Sequence, residues 1–376
     1  MNRKHLKHSQ RPTVSESGIT IGRFSKGHNN SITDVRGVRV GHVTNIQDNV
    51  EDGETGELTR IRTGVTAIVP SDEIYTKRMI AGGFVLNGVG EMLGLTQVME
   101  WGLLETPILL TNSLSVGKVH DGVVSYMIDK YPSLGTKSDV VLPVVGETDD
   151  SFLNDVRNGF NYPEHAVEAI LKAKSGRIEQ GSVGAGTGMI TCDFSGGIGT
   201  SSRMVMLDEG GFTLGVLVLS NFGKMRNLTI DGMVVGRELD RIYEKEIRRK
   251  ENYGSIIIVI ATDAPLISSQ LSRISKRAAL GLGRVGSYAG YTSGEIIIAF
   301  STANKIPRHT HQKGKFLTMK FIADNHIDPL YEAVIEATEE AVLNALFCSN
   351  GMNGRDGKVS PAIPVETVLN LLEKRR

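Results

Sequence analysis

The residue with the clearest chemical potential in this chain of 376 residues is a serine. Ser255 follows Gly254 and opens the apolar run Ser255-Ile256-Ile257-Ile258-Val259-Ile260-Ala261, just after the charged stretch Arg237 to Tyr253. Processing cuts concentrate in exposed, charged segments of this kind. Were the Gly254–Ser255 bond to break, Ser255 would become an N-terminal residue with its own α-amine beside its hydroxyl. That amine has a reference pKa of about 7.7–8.0, so a useful neutral fraction exists near pH 7 and can act as base. This is an activated nucleophile that needs no histidine. Taken alone, Gly-Ser before a strand is more often an ordinary turn, and the charged stretch more often an exposed helix or linker.

Other chemistries find little support. There is no HExxH, no GxxxxGK[ST] and no GxSxG, which removes the common zinc, phosphate-cradling and nucleophile-elbow signatures. The run Gly184-Ala185-Gly186-Thr187-Gly188 lacks dinucleotide-binding spacing and reads as a tight turn beside a site. His309 and His311 are the only close histidine pair and have no spaced carboxylate. Two cysteines, Cys192 and Cys348, make neither a disulfide framework nor a cysteine zinc site. No metal and no cofactor are expected. With 42 Lys+Arg against 42 Asp+Glu, nothing draws the chain electrostatically to nucleic acid. The first residues carry no apolar signal core, and no stretch approaches the ~18 apolar residues of a membrane span. The expectation is a soluble, cytoplasmic protein with a disordered leader over residues 1–18 and a single domain over residues 19–376.

The elements that must position Ser255 are strongly apolar strands interleaved with helices. Strands are predicted at residues 37–43, 64–70, 105–110, 140–145, 212–219, 255–261 and 294–300, and helices at 116–131, 163–174, 265–281, 328–347 and 364–374. That mixture places the fold in the α/β or α+β classes. No repeating βαβ unit of about 30 residues occurs, so a layered sheet sandwich with helices outside fits better than a Rossmann fold or a barrel.

Longer stretches carry a resemblance. SITDVRGVRVGHVT (Ser31 to Thr44), the segment from Phe84 to Val124, GSVGAGTGMITCDFSGGIGTSSR (Gly181 to Arg203), ATDAPL (Ala261 to Leu266), Arg277 to Asn304, and Glu336 to Gly357 together resemble the L-aminopeptidase/D-esterase family. These are self-processing serine aminopeptidases of the S58 type, the β-aminopeptidases among them. The matching stretches run in family order over nearly the whole chain from residue 31. The resemblance implies a four-layer α-β-β-α sandwich similar to that of the ornithine acetyltransferases. It also implies self-cleavage between Gly254 and Ser255 into an α chain, 1–254, and a β chain, 255–376, both kept in one subunit of a homo-oligomer.

Carried over position by position, Ser255 matches the nucleophile for self-cleavage and for attack on substrate. Ser293 and Glu295 match a second serine and its acidic partner, expected near the new amine and the Ser255 hydroxyl. Asn221 matches an oxyanion-hole amide. Glu147 matches the carboxylate that holds the substrate's free amino group, and a buried ammonium does need a charged partner. Asp149 stands where some relatives are expected to have tyrosine, and with Asp150 it adds negative charge that would favour basic or strongly amine-anchored substrates. Asn87, Gly88 and Glu91 lie in a matching stretch with no chemical step assigned. The activity implied is removal of an N-terminal amino acid from small peptides, amides or esters through an acyl-enzyme on Ser255. Two other readings stay open: an acyltransferase like the ornithine acetyltransferases, whose nucleophile is a threonine in a different local sequence, and a non-catalytic binder of small amines.

Overall fold

The computed structural model describes residues 11–374 apart from residues 52, 208–209, 245–252 and 309–315. The elements follow in order as β1 (Arg39–Glu51), β2 (Leu58–Val69), β3 (Lys77–Gly88), β4 (Met92–Leu93), α1 (Leu95–Trp101), β5 (Leu103–Leu104), β6 (Ile108–Asn112), α2 (Val116–Lys130), β7 (Val144–Thr148) and α3 (Pro163–Leu171). After these come β8 (Ile190–Thr191), β9 (Phe194–Ser195), β10 (Gly197–Leu207), β11 (Gly210–Asn221), α4 (Gly236–Ile242), β12 (Tyr253–Thr262), α5 (Ser268–Arg284), β13 (Thr292–Pro307), α6 (Asp328–Phe347), β14 (Met352–Asn353), β15 (Val359–Ser360) and α7 (Val365–Glu373). Five strands form one sheet in the order β1-β2-β6-β7-β4, and six form another in the order β10-β11-β12-β13-β3-β5.

Period-two alternation along the apolar strands separates the layers. In β12, Ile256, Ile258 and Ile260 pack with Leu271 and Ile274 of α5 and with Val334 and Ala341 of α6. The intervening Ile257, Val259 and Ala261 face the other sheet and meet Val40, Ile68, Leu110 and Val144. On that sheet's far side, Val65, Ala67, Leu109 and Val145 cover Val119, Val123 and Met127 of α2 and Ala166 and Ala169 of α3. The result is α2/α3, sheet, sheet, α5/α6: the four-layer α-β-β-α sandwich expected from the resemblance. Strands apolar on both faces read as continuous apolar runs because both faces are covered. Among the described residues no helix is long and apolar enough to cross a membrane. The His309–His311 pair lies outside the described residues.

Residues 11–18 correct the expectation of a disordered leader for that part of it. Val14 is fully buried, its N–H donating to Asn344 Oδ1 at 2.9 Å, and Arg11 Nε donates to the Phe347 carbonyl at the end of α6. A polar, basic stretch looks like a tail until a partner exists, and α6 supplies one. This helix is buried nearly all round, carrying Glu336, Glu339 and Glu340 inward. Glu339 pairs with Arg284 at 3.2 Å, and the other two share Arg203 of β10, itself fully buried, which bonds Glu336 at 3.1 Å and Glu340 at 2.8 Å and reaches the Ile21 carbonyl at 2.9 Å. Burial works to raise Glu340, but the Arg203 guanidinium and the Lys26 ammonium outweigh it and hold the carboxyl below its usual range. Removing one member of such a network strands the others without water or a counter-charge. Arg203→Ala is therefore expected to cost about 3–5 kcal/mol in urea unfolding. A loss near the value for an exposed arginine would show that the network is dispensable.

Candidate active site

Three strand ends meet at Ser255. β12 pairs antiparallel with β11, placing Asn221 opposite Ser255, and parallel with β13, placing Ser293 opposite Gly254 and Gly294 opposite Ser255. Parallel pairing brings the N-terminal ends of β12 and β13 to one edge, where the C-terminal end of β11 also finishes. Alternation then sorts the side chains. Ser255 and Asn221 lie on the face of Ile257 and Leu219, toward the other sheet, whereas Ser293 and Glu295 lie on the face of Ile297, toward the helices. Gly254 is a glycine because the backbone crowds it: a Cβ there would stand 2.7 Å from both the Asn221 carbonyl oxygen and the Phe222 Cα. A Cβ on Gly294 would come within 2.2 Å of the Val89 carbonyl.

Ser255, Ser293, Glu295 and Asn221 are all buried. Ser293 Oγ donates a short hydrogen bond to Glu295 Oε1, and Glu295 Oε2 is buried with no partner among the described residues. Burial raises the Glu295 carboxyl above its usual range, opposed by the Ser293 hydroxyl. No hydrogen bond joins Ser255 to Ser293 or Glu295 among the described residues, so the expected contact to the Ser255 hydroxyl is not formed here. The pair lies instead on the side of the Gly254 peptide, where a cavity of about 10 Å³ opens between Phe222, Gly223, Gly254, Gly286 and Ser293, scarcely room for one water.

The Asn221 amide is oriented from both ends. Its Oδ1 accepts from the Ile190 N–H at 2.9 Å, and its Nδ2 donates to the Asp149 carbonyl at 2.7 Å. With the oxygen so engaged, the NH₂ end faces the gap between the sheets. The glycine run reaches this point from a distance: Gly184–Gly186 forms a 3-10 turn that leads into Met189 and Ile190.

Glu147, near the end of β7, supplies the carboxylate from the other sheet. Its Oε1 accepts from the Glu91 N–H at 2.8 Å, and its Oε2 accepts a short bond from Ser113 Oγ. Burial pushes its carboxyl above the usual range, with the Ser113 and Glu91 donors pulling it back and the Asp149 and Glu91 charges adding to the rise. Asp149 itself turns its carboxylate onto the Ser151 N–H and hydroxyl, at 2.7 and 2.9 Å; it meets Asn221 through its backbone. Asn87 donates to the Gly290 carbonyl at 2.8 Å and so ties β3 to the loop before Ser293. Ser113, Asn112 and the Ile190 amide are part of this arrangement and carry no motif. The nearest sequence sign was the Thr111-Asn112-Ser113 loop ahead of α2.

The larger cleft, of about 670 Å³, opens elsewhere, lined by Arg11, Arg62, Arg177, Glu179, Cys348 and Met352 among others, and contains none of these residues. Converging strand ends, rather than cavity size, mark the candidate site. Among the described residues no cluster of histidine, cysteine and carboxylate side chains could hold a metal.

Fold and site together define a serine aminopeptidase-type hydrolase. Comparison with known proteins gives the particular family. The chain belongs to peptidase family S58, whose model matches residues 30–360. It is 40% identical to the beta-peptidyl aminopeptidase BapA of Sphingosinicella microcystinivorans over 382 aligned positions, covering 97% of this chain and 93% of that protein. A β-aminopeptidase from Burkholderia sp. superposes with a TM-score of 0.87 at 38% identity, covering 96% of this chain and 99% of the other. The L-aminopeptidase D-Ala-esterase/amidase of Ochrobactrum anthropi, described as a prototype serine aminopeptidase and a variant of the Ntn hydrolase fold, does so at 0.88 and 36%, covering 97% and 99%. These relatives do not favour the acyltransferase or the non-catalytic reading.

Proposed function

We propose that the chain cuts itself between Gly254 and Ser255 and that the freed Ser255 removes N-terminal residues from small peptides, amides or esters. The observation that carries this reading is the convergence of Ser255, Asn221 and the Ser293–Glu295 pair at one sheet edge, with the Glu147 carboxylate at the end of β7 reaching the Gly90–Glu91 segment that packs against Gly294. In the first event, Ser255 Oγ attacks the Gly254 carbonyl carbon, the acyl chain passes from nitrogen to oxygen, and water cleaves the ester. This leaves the Gly254 carboxylate and the Ser255 α-amine.

In turnover, the neutral α-amine accepts the Ser255 hydroxyl proton as the oxygen attacks the substrate carbonyl. The oxyanion is stabilised by Asn221 Nδ2. Collapse passes the proton to the leaving amine and leaves an ester on Ser255, which water hydrolyses with the same α-amine as base. Ser293 and Glu295, on the Gly254 side of the strand, hold the α-ammonium between these transfers. Glu147 pairs with the substrate's own ammonium, so substrates blocked at that amine should be refused. An assembly of several such units in the cytoplasm belongs to the same reading, and Tyr291 and Phe316, 92% and 93% exposed, are apolar surface that such contacts would cover.

The test compares β-alanyl- and L-alanyl-p-nitroanilide with their N-acetyl forms. Hydrolysis of the free-amine substrates alone is expected, and equal hydrolysis of the acetylated ones would rule the amine anchor out. Glu147→Gln should raise KM about 10–100-fold, the worth of one hydrogen bond to a charged group. The sign with pH is fixed by the raised carboxyl: as pH falls through its pKa, the carboxylate gains a proton, stops attracting the ammonium, and KM rises. In Glu147→Gln, KM should be flat over that range. A parallel rise in the variant would assign the effect to another group.

A further inference from the structure

We propose that Asp150 is a positioning residue that fixes the spacing between Glu147 and Asn221 and thereby selects the backbone length of the aminoacyl substrate. The inference rests on the function proposed above. Asp150 is buried and forms no ion pair among the described residues. Its carboxylate is held by donors alone: Asn154 Nδ2 at 3.0 Å on Oδ1 and Asn112 Nδ2 at 3.2 Å on Oδ2, with the Thr63 hydroxyl nearby favouring the charged form. Thr63 Oγ1 in turn accepts from Asn112 at 2.7 Å and Asn161 at 3.0 Å. Asn154 Oδ1 accepts the Arg62 N–H at 2.8 Å, and Asn112 Oδ1 accepts the Ser115 N–H at 2.9 Å. One carboxylate thus binds β2, the end of β6 and the turn at 150–154 into a single polar cluster.

Both groups assigned to the substrate in the proposed function are linked to that cluster. The residue before Asp150 presents the carbonyl that accepts from Asn221 Nδ2. Asn112 is followed by Ser113, whose hydroxyl donates to Glu147. Glu147 belongs to the five-stranded sheet and Asn221 to the six-stranded one, so their separation depends on how the end of β7 is pinned. Burial without a cation pushes the Asp150 carboxyl up to about 7, with Thr63, Asn154 and Asn112 working against it. That is an expensive way to close a turn. It is also the chemistry the cluster requires, since each carboxylate oxygen meets an amide donor and an amide in its place would set a donor against a donor.

The separation matters because a β-aminoacyl substrate has one more C–C bond, about 1.5 Å, between ammonium and carbonyl than an α-aminoacyl one. Misplacement by about 1 Å can cost on the order of 10²-fold in rate. A loosened turn should therefore change the two substrate classes unequally, whereas mere loss of stability would lower both alike.

The experiment measures kcat and KM for β-alanyl- and L-alanyl-p-nitroanilide, normalised to processed sites counted by mass spectrometry. It uses the unaltered protein, Asp150→Asn, and the double variant Asp150→Asn with Asn154→Asp. The second substitution returns an acceptor opposite the introduced amide and keeps one for the Arg62 N–H. Asp150→Asn should change the β-to-α ratio of kcat/KM by about tenfold or more, mostly through kcat, and the double variant should restore it to within about threefold. A ratio within twofold of the unaltered protein overturns the proposal, as does a changed ratio that the double variant leaves unrestored. Should Asp150→Asn fail to mature, Thr63→Val, which removes the hydroxyl that accepts from Asn112 and Asn161 within the cluster, carries the same ratio test. An unaltered protein that hydrolyses neither substrate would sink the proposed function instead, a result distinguishable from an unmoved ratio.

Discussion

Ser255→Ala is expected to leave one uncut chain of 40.8 kDa with no measurable amidase activity. The unaltered protein should give two pieces. Scaled by residue count these are roughly 28 and 13 kDa, the smaller beginning Ser-Ile-Ile-Ile as an N-terminal nucleophile requires. In the proposed mechanism a single oxygen accounts for both losses, attacking the Gly254 carbonyl first and the substrate carbonyl afterwards. Loss of a serine nucleophile elsewhere costs on the order of 10⁶ in kcat, enough to leave only background here. The substitution should not disturb the fold. Alanine keeps the Cβ, β12 keeps its pairing to β11 and β13, and Ser255 forms no hydrogen bond to Ser293 or Glu295 among the described residues. Unfolding curves should therefore match those of the unaltered protein, and intact mass with N-terminal sequencing settles the cut. A variant still split at the same bond would mean that another group attacks Gly254.

The parts of the fold legible from sequence were those whose two faces are both apolar. The runs at 212–219, 255–261 and 294–300 lie within β11, β12 and β13, and the helix at 328–347 coincides with α6. β3 and β10 were not recognised, for identifiable reasons. KRMIAGGFVLNG and GIGTSSRMVML replace large side chains with glycine where helices lie directly on the strand: a Cβ on Gly199 would sit 1.9 Å from the Ala341 carbonyl of α6. Arg203 buries a charge that only Glu336 and Glu340, more than 130 positions later, can neutralise. The site divides the same way. Ser255 is legible because its neighbours in sequence are distinctive and lie among stretches whose order resembles the family. Ser113 and Asp150 act through partners 34 and 38 positions away, a relation that sheet pairing creates and spacing does not announce. Asp149 was noted for its charge, and its side chain turns out to serve the local turn while its carbonyl serves Asn221.

Asn221→Ala should lower kcat by about 10²–10³ with KM little changed, since the amide is needed only where negative charge develops. Its placement supports that role. The Ile190 N–H fixes the carbonyl end, and the Asp149 carbonyl accepts from Nδ2, so the amide's orientation is set before any oxyanion forms. Both attacks by Ser255 pass through a tetrahedral oxyanion, so maturation should slow along with turnover, and uncut precursor should accumulate in fresh preparations. Asn221→Asp separates electrostatics from packing. It keeps an acceptor for the Ile190 N–H and nearly the same volume, but sets a negative charge beside the developing one, so its kcat should fall below that of Asn221→Ala. If packing alone mattered, the order would reverse, because aspartate fills the space that alanine empties. Stopped assays on separated, processed material give kcat for each variant, and a precursor time course by mass spectrometry gives the maturation rate. Rates for Asn221→Ala within about threefold of the unaltered protein in both measurements would place the oxyanion against other donors.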